Sequence, residues 1–87
     1  MKIKYNVDFV KSAVKELNKL SREVQQRITK EIDGLETEPR PFRVKKLSAT
    51  ENIYRIRSGN YRIVYEIYDK DKLVLITRIR HRSEVYE

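Results

Sequence analysis

Arginine is the residue type in this sequence best suited to bind a ligand. Eight of its ten arginines lie in residues 40–87, which carry a net charge of +6, whereas residues 1–39 carry only +1. An arginine guanidinium presents a planar fork of N–H donors that matches the oxygens of a phosphate. The asymmetry indicates an anionic partner, namely nucleic acid, an acidic protein or a membrane surface, although charge that serves only solubility would give a similar balance.

The spacing of these arginines predicts that several of them share one face of a β-hairpin. Gly59-Asn60 is typical of a two-residue hairpin turn, and the residues on either side alternate with period two. Pairing across this turn sets Arg57 opposite Arg62 and places Arg55 on the same face. The other face then holds the apolar side chains expected to pack on helices: Tyr54, Ile56, Ile63, Tyr65 and Ile67.

The next turn decides what the last strand adds to this face. With a three-residue loop over residues 69–71, Arg78 lies opposite Arg62, and Arg80 joins the arginine face. The core then gains Leu73, Leu75 and Ile79, and a slip of one residue would reverse the faces. Like charges directly opposite each other destabilise a sheet by about 0.2–1 kcal/mol per pair, and an anion bound between them would turn this repulsion into a net attraction. Five arginines on one face therefore indicate a phosphate site, against the alternative of a solvated face that limits aggregation.

The C-terminal residues add two side chains that could act on RNA. His81 is the single histidine, and imidazole has an unperturbed pKa of roughly 6.5, close to neutrality. Tyr86 could stack on a base beside the phosphate or serve as a hydrophobic anchor. One histidine and no cysteine exclude disulfides and argue against a structural zinc site.

The elements that position these residues begin with two predicted helices. After a short edge strand over residues 2–5, apolar residues recur at helical spacing over Phe9–Leu20, with Asn6 or Asp8 as the N-cap. A second helix begins after Ser21 and ends at the glycine and prolines that follow it. Its apolar stripe consists of Val24, Ile28, Ile32 and Leu35.

Period-two segments follow the helices and predict a sheet. The predicted strands are Phe42–Leu47, Ile53–Arg57, Tyr61–Tyr68 and Leu73–Arg80. We expect an α+β fold in which the short N-terminal strand and an antiparallel helical hairpin pack on one face of an antiparallel sheet of about four strands. Residues 1–87 fit a single domain. No segment reads as a signal peptide or a membrane span, so the expected location is the cytoplasm.

Several motifs, taken as a set, resemble the RelE/ParE toxin superfamily over essentially the whole chain. They are Lys46-Leu47, Tyr54-Arg55-Ile56-Arg57, Gly59, Tyr61-Arg62-Ile63-Val64-Tyr65 and Arg80-His81-Arg82-Ser83-Glu84-Val85-Tyr86. The resemblance implies a microbial RNase-like RelE fold and the toxin role in a type II toxin–antitoxin system. RelE-type members are mRNA interferases. These ribosome-dependent endoribonucleases cut mRNA in the A site by attack of the RNA's own 2′-hydroxyl, use no metal or cofactor, and so inhibit translation.

The resemblance also implies roles for individual residues. Arg62 and Arg80 match the arginines that hold and neutralise the scissile phosphate. Tyr86 matches the tyrosine that stacks on or orients the cleaved nucleotide. The expected supporting contacts to RNA phosphates are Lys46, Arg55, Arg57 and Arg82.

The proton-transfer group is the least defined part of this expected site. Arg55 and Arg57 stand where relatives carry lysines, and arginine, with a pKa above about 12, cannot act as a base. His81 is therefore the expected catalytic acid or base, with Lys46 and Glu51 as further candidates.

The implied partners are a RelB-type antitoxin, in a toxin–antitoxin heterotetramer, and mRNA in the ribosomal A site next to ribosomal RNA, with no membrane involved. One alternative is a ParE-type toxin, which shares the fold but inhibits DNA gyrase and cuts no RNA. Another is a basic RNA- or protein-binding module without activity. The combination of Arg80, His81 and Tyr86 favours the RelE type, because a gyrase inhibitor needs no cleavage site.

Overall fold

A mixed five-stranded sheet lies at the centre of the structure. The computed structural model describes residues 4–49 and 51–84. In chain order its elements are β1 (Asn6–Phe9), α1 (Lys11–Asn18), α2 (Arg22–Gly34), β2 (Lys45–Lys46), β3 (Ile53–Ser58), β4 (Tyr61–Tyr68), β5 (Leu73–His81) and a 3₁₀ turn (Arg82–Glu84). The strand order is β1-β5-β4-β3-β2, with β1 parallel to β5 and the other neighbours antiparallel. The α+β class is confirmed, whereas the expected antiparallel sheet of about four strands is corrected to a mixed sheet of five.

The core lies between this sheet and the two helices. Buried apolar residues alternate along the three central strands: Tyr54, Ile56, Ile63, Tyr65, Ile67, Val74, Ile76 and Ile79. The helices and the residue after α2 contribute Ala13, Ile28, Ile32 and Leu35. Burial of a large aliphatic side chain stabilises the fold by about 1.5–3 kcal/mol. Because one face of the sheet supplies the core, the other face can carry charged residues.

The N-terminal strand lies further along the chain than the sequence pattern predicts. Phe9 ends β1, and α1 starts after Val10, whose backbone N–H still donates to a β5 carbonyl. Asn6 and Asp8 are therefore strand residues, and no side chain caps α1. The prediction was wrong because pairing with β5 satisfies these backbone groups in place of a first helical turn. The predicted edge strand over residues 2–5 lies partly outside the described residues.

The second helix begins and ends as predicted. The Ser21 hydroxyl accepts a hydrogen bond from the backbone N–H of Val24 at 3.3 Å, and α2 continues to Gly34. Within residues 4–49 and 51–84, neither helix is long and apolar enough to cross a membrane.

The turn between β4 and β5 is one residue longer than predicted. It spans residues 69–72, and Lys72 adopts a positive φ of 50°. Asp69 is fixed at its start, because its carboxylate accepts hydrogen bonds from two Arg40 nitrogens at 3.2 and 2.9 Å and from the Tyr5 hydroxyl at 2.7 Å. The turn is therefore tied to the residue before β1 and to the segment after α2, which sequence periodicity does not reveal.

This longer turn and a β-bulge together set the faces of β5. The buried side chains are Val74, Ile76 and Ile79, in place of the predicted set Leu73, Leu75 and Ile79. The extra turn residue shifts the pairing of the first half of the strand by one residue and reverses its faces, and a bulge at Thr77 adds a second residue, which restores the predicted faces in the second half. The Thr77 hydroxyl donates to the Val64 carbonyl at 3.2 Å beside that bulge.

The predicted strand Phe42–Leu47 is reduced to the two residues of β2. Pro39 is buried, and its carbonyl accepts a hydrogen bond from the Tyr65 hydroxyl at 2.8 Å. The backbone N–H of Val44 donates to the Pro41 carbonyl at 2.9 Å, which closes a turn before pairing with β3 begins. Extended pairing is thus replaced by local turn hydrogen bonds next to the prolines.

Candidate phosphate-binding site

Three arginines form a row across the three central strands of the sheet. Arg57 of β3 pairs with Arg62 of β4, as predicted, and Arg62 pairs with Arg80 of β5. The predicted partner of Arg62 was Arg78, which instead lies opposite Val64 because of the longer turn and the bulge. Directly opposed residues have Cβ atoms about 4.5–5.5 Å apart, so the row concentrates three positive charges on the face that points away from the core.

A fourth arginine lies beneath this row. Arg55 precedes Arg57 by two residues on the same face of β3 and is only 4 % exposed. Burial lowers the pKa of the Arg55 guanidinium, and the neighbouring charges of Arg62 and Arg57 lower it further. An arginine starts from a pKa above about 12, so Arg55 stays protonated at neutral pH. A phosphate bound on this face would add negative charge beside Arg55 and the two neighbouring cations.

A fifth arginine closes a small cavity at the end of the row. The cavity has a volume of about 60 Å³ and is lined by Arg57, Gly59, Asn60, Tyr61, Arg62 and Arg82. The backbone N–H of Arg82 donates to the Asn60 carbonyl at 2.7 Å, which brings the 3₁₀ turn against the β3–β4 turn. One water molecule needs about 10–15 Å³ of such a cavity, so this one has room for a group of a few heavy atoms such as a phosphate.

Gly59 allows this turn to form so tightly. Its φ is +60°, and a Cβ atom there would lie 2.7 Å from an Nη atom of Arg27 in α2. The positive φ favours glycine here, whereas the flexible end of the Arg27 side chain could shift to make room for a Cβ atom. The hairpin signal Gly59-Asn60 that the sequence provided is confirmed by the pairing of Ser58 with Tyr61.

Glu16 of α1 holds Arg80 in place, and sequence reasoning missed it. One carboxylate oxygen accepts from Nε of Arg80 at 2.8 Å, and the other accepts from the backbone N–H of Ile79 at 2.9 Å. Pairing with β1 ends at Ile76, so Glu16 satisfies a backbone donor at the edge of β5 that β1 does not reach. The contact uses Nε, so both Nη groups of Arg80 can still donate to a ligand. The available signal was an acidic residue three positions after buried Ala13, on the inward side of α1.

Lys46 is not brought together with the arginine row. It pairs with Tyr54, and its Nζ lies 5.9 Å from the centre of the Tyr54 ring, on the side of the sheet that carries the helices. Its neighbour Lys45 pairs with Arg55 and so occupies the arginine face. Adjacent lysines of a two-residue strand lie on opposite faces, so Lys46 is on the face opposite the arginine row, and its role in binding phosphate stays a prediction.

His81 also lies apart from the row. It pairs with Tyr61, and the two rings meet edge to face with centroids 5.2 Å apart, on the face that holds Ile79. Its Nδ1 lies 2.9 Å from the Ser83 hydroxyl. The structure thus places the imidazole on the other side of β5 from the neighbouring Arg80, because successive strand residues alternate between faces.

Of the remaining predicted residues, Glu51 does not extend the row. Glu51 is exposed before β3 and lines a different cavity, together with Glu66 and Tyr68. Tyr86 lies outside the described residues. Among residues 4–49 and 51–84, no three histidine, aspartate or glutamate side chains cluster in a way that could hold a metal ion.

The arrangement as a whole can bind an anion and stabilise negative charge that develops on it. The described members are Arg55, Arg57, Arg62, Arg80 and Arg82, which we call the arginine cluster. Guanidinium groups held by packing and by a carboxylate are preorganised, so little rearrangement is needed when a charged group enters.

Comparison with known proteins places this fold and cluster in a family. A family model described as the ParE toxin of the type II toxin–antitoxin system parDE matches residues 7–86. The mRNA interferase toxin RelE of Escherichia coli is 35% identical over 86 residues, which cover 94% of this chain and 90% of that protein. The archaeal RelE–RelB complex from Pyrococcus horikoshii contains a chain that superposes with a TM-score of 0.83 at 36% identity, covering 94% of this chain and 99% of that one. A chain of the toxin–antitoxin complex RelBE2 from Mycobacterium tuberculosis gives a TM-score of 0.81 at 28% identity, with 95% and 97% covered. The chain therefore belongs to the RelE/ParE superfamily of type II toxin–antitoxin toxins and has the fold of its RelE members.

Proposed function

We propose that this chain is a RelE-type mRNA interferase, a toxin that cleaves mRNA in the ribosomal A site and so inhibits translation. The observation that carries the proposal is the arginine cluster, in which Arg57, Arg62 and Arg80 stand side by side across three strands. Arginines directly opposite each other on a sheet repel, and a phosphate lying between them would turn that repulsion into attraction. The E. coli relative named above is an mRNA interferase, and this supports RNA as the source of that phosphate.

The arginine cluster would act on the scissile phosphate by charge stabilisation. In cleavage by the RNA's own 2′-hydroxyl, that oxygen attacks the adjacent phosphorus and the 5′-oxygen of the next nucleotide leaves. Negative charge builds up on the phosphate oxygens, and Arg62 and Arg80 would neutralise it from a preorganised position. Glu16 would orient Arg80 through Nε, which supports in-line geometry. In this proposal Tyr86 stacks on the cleaved nucleotide.

Proton transfer belongs to groups outside the arginine cluster. His81 stays a prediction as the acid or base, although its ring lies on the helix-bearing face and would have to reach the RNA around the end of β5. Arginine cannot take the proton of the 2′-hydroxyl at neutral pH. The geometry therefore favours a mechanism in which binding, orientation and electrostatic stabilisation supply most of the rate enhancement.

The proposed partners follow from the same assignment. The solved relatives include complexes of RelE with RelB, which supports a cognate RelB-type antitoxin for this chain. The proposal also includes assembly into a toxin–antitoxin heterotetramer and, in the cytoplasm, binding of mRNA in the ribosomal A site next to ribosomal RNA.

Primer extension on translated mRNA tests this function directly. Wild-type toxin should produce cuts at codons in the A site, and Arg62→Ala should lower cleavage by about 100-fold or more, as loss of one oxyanion-stabilising donor does. Arg22→Ala, an exposed arginine of α2, is the matched control and should cut like the wild type. Full cleavage by Arg62→Ala would refute the proposed site.

ParE-type inhibition of DNA gyrase is the alternative function. The matching family model carries the ParE description, but the relatives compared above are RelE proteins. Loss of gyrase supercoiling activity in the presence of purified toxin, with mRNA left intact, would favour the ParE type.

A further inference from the structure

The turn before β2 exposes a phenylalanine completely. The relative exposure of Phe42 is 106 %, whereas Leu47, the next most exposed large apolar residue in the described chain, reaches 42 %. Leaving a phenylalanine in water forgoes about 1.5–3 kcal/mol that burial would contribute. Single exposed apolar residues are common on proteins, so the surroundings of this ring decide its meaning.

Neighbouring contacts fix the position of Phe42. The Val44 N–H donates to the Pro41 carbonyl at 2.9 Å and closes the turn around it. Val44 also packs against the core, and Arg43 forms an ion pair with Glu31 of α2. The ring is therefore displayed on an anchored turn.

Phe42 lines a cavity that continues from the candidate phosphate site. The cavity has a volume of about 450 Å³ and is lined by Phe42, Arg43, Val44, Lys45, Arg55 and Arg57. Ligand sites usually have volumes of about 300–1,000 Å³, so this one is large enough for a nucleotide. Arg57 lines both this cavity and the phosphate-sized cavity beside Arg62, so a ligand could extend from one into the other.

The lining of this cavity suits an anionic ligand with a flat ring. Lys45, Arg55 and Arg57 supply positive charge, and none of the described residues that line it is acidic. Single-stranded RNA is bound by this combination of a basic groove and exposed aromatic rings on which bases stack. A protein segment would find little apolar surface here, because Phe42 and Val44 are the apolar side chains of the lining.

We infer that this cavity is a second nucleotide subsite, in which Phe42 stacks on a base of the mRNA adjacent to the scissile phosphate. Lys45 and Arg57 then contact the backbone of that nucleotide. The inference rests on the proposed RNA substrate, and it adds a subsite that sets the position of the strand and the preference for the flanking base.

Binding of a non-cleavable RNA to the purified full-length toxin tests the subsite without relying on cleavage. The probe is a short fluorescent single-stranded RNA with 2′-O-methyl groups, which block attack by the 2′-oxygen, followed by anisotropy at fixed salt. Phe42→Ala should bind about 5- to 150-fold more weakly, the equivalent of one base–aromatic stack of about 1–3 kcal/mol. Phe42→Leu should lose most of this affinity, and Phe42→Trp should keep or improve it.

Further measurements decide what a loss of affinity means. An abasic nucleotide at the flanking position should weaken binding to the wild type and leave Phe42→Ala unchanged, because both changes remove the same stack. Tyr68→Ala, another exposed aromatic outside the cavity, is the matched control and should bind like the wild type. Thermal unfolding should show all variants folded, since Phe42 is exposed.

Two results would overturn the inference. One is equal RNA affinity for Phe42→Ala and the wild type, and the other is a loss confined to antitoxin binding, which would make the turn a protein interface. Intact mRNA in the primer-extension assay would instead refute the proposed function, and the anisotropy result would still report on the subsite.

Discussion

Removing one member of the arginine row should stabilise the free protein. Arg57 is exposed on β3 directly opposite Arg62, so Arg57→Thr relieves one like-charge pair and opens no cavity. Threonine also favours strand conformation. Relief of one opposed pair is worth about 0.2–1 kcal/mol, and the repulsion between Arg57 and the neighbouring Arg55 is removed as well. For a domain of this size the melting temperature should rise by roughly 1–8 °C.

The matched control for this variant is Arg78→Thr. Arg78 is also an exposed strand arginine, but its cross-strand partner is Val64. The control should change the melting temperature by less than Arg57→Thr, because it removes positive charge without relieving a directly opposed pair. The comparison thus separates local repulsion from the general effect of net charge.

Inorganic phosphate provides a second readout of the same repulsion. A ligand that binds the folded state raises its stability by RT ln(1 + [L]/Kd), so phosphate should stabilise the wild type more than Arg57→Thr. Chloride at equal ionic strength corrects for simple screening. Equal shifts for Arg57→Thr and Arg78→Thr, or a lower melting temperature for Arg57→Thr, would refute the view that the row is under strain until an anion binds.

Two further predictions concern contacts that hold the row and its strand. Glu16→Gln should lower single-turnover cleavage by about five- to tenfold with the fold retained, since a charge-assisted bond to Arg80 becomes a neutral one; rates unchanged from the wild type would contradict this role. Hydrogen bonds from Arg40 and a tyrosine lower the pKa of Asp69 to about 2, below the value of about 3.9 for an unfolded chain. Ionised Asp69 therefore contributes to the free energy of unfolding above pH 4, and this contribution is lost as the pH falls towards 2. In urea denaturation, the stability of Asp69→Asn should thus decrease less between pH 4 and pH 2 than that of the wild type. The half-exposed pair of Arg40 and Asp69 is worth about 0.2–1 kcal/mol. If the stabilities of the variant and the wild type fell equally with pH, this pair would not contribute to stability.

The arginine face was predictable because it depends only on a short turn sequence and on the alternation of side chains along two neighbouring strands. The Gly59-Asn60 turn fixes the register of β3 and β4, and strict alternation then assigns every side chain to a face. Opposition of Arg57 and Arg62 follows from the turn alone and is confirmed. The same alternation also predicts which residues of these two strands lie in the core.

The details of β5 were not predictable in the same way. Its register depends on a turn lengthened by the Asp69 contacts and on a bulge at Thr77, both of which involve residues distant in sequence. The predicted register therefore placed Leu73 and Leu75 in the core, whereas the structure leaves both side chains half-buried. Arg80 still reaches the predicted face, because the two shifts add to an even number of residues.

The contact between Glu16 of α1 and Arg80 could not be predicted from the sequence either. Helical periodicity places Glu16 on the inner side of α1, but its partner depends on where β1 stops pairing with β5. Backbone donors at a strand edge need an acceptor, and a carboxylate that also binds Arg80 satisfies two needs at once. Only the assembled sheet reveals that relation.

Because the cluster consists of arginines and not lysines, its charge is expected to change little with pH. A cluster of lysines would lose protons when crowded, because neighbouring charges lower an ammonium pKa towards neutrality. Arginines remain protonated even when burial and repulsion act on them, as at Arg55. An arginine cluster is therefore expected to offer a phosphate the same charge throughout the physiological pH range. In the proposed cleavage, a pH-dependent step would then belong to the attacking hydroxyl, the leaving oxygen or a side chain outside the cluster, and the position of His81 on the opposite face bears on which of these it is.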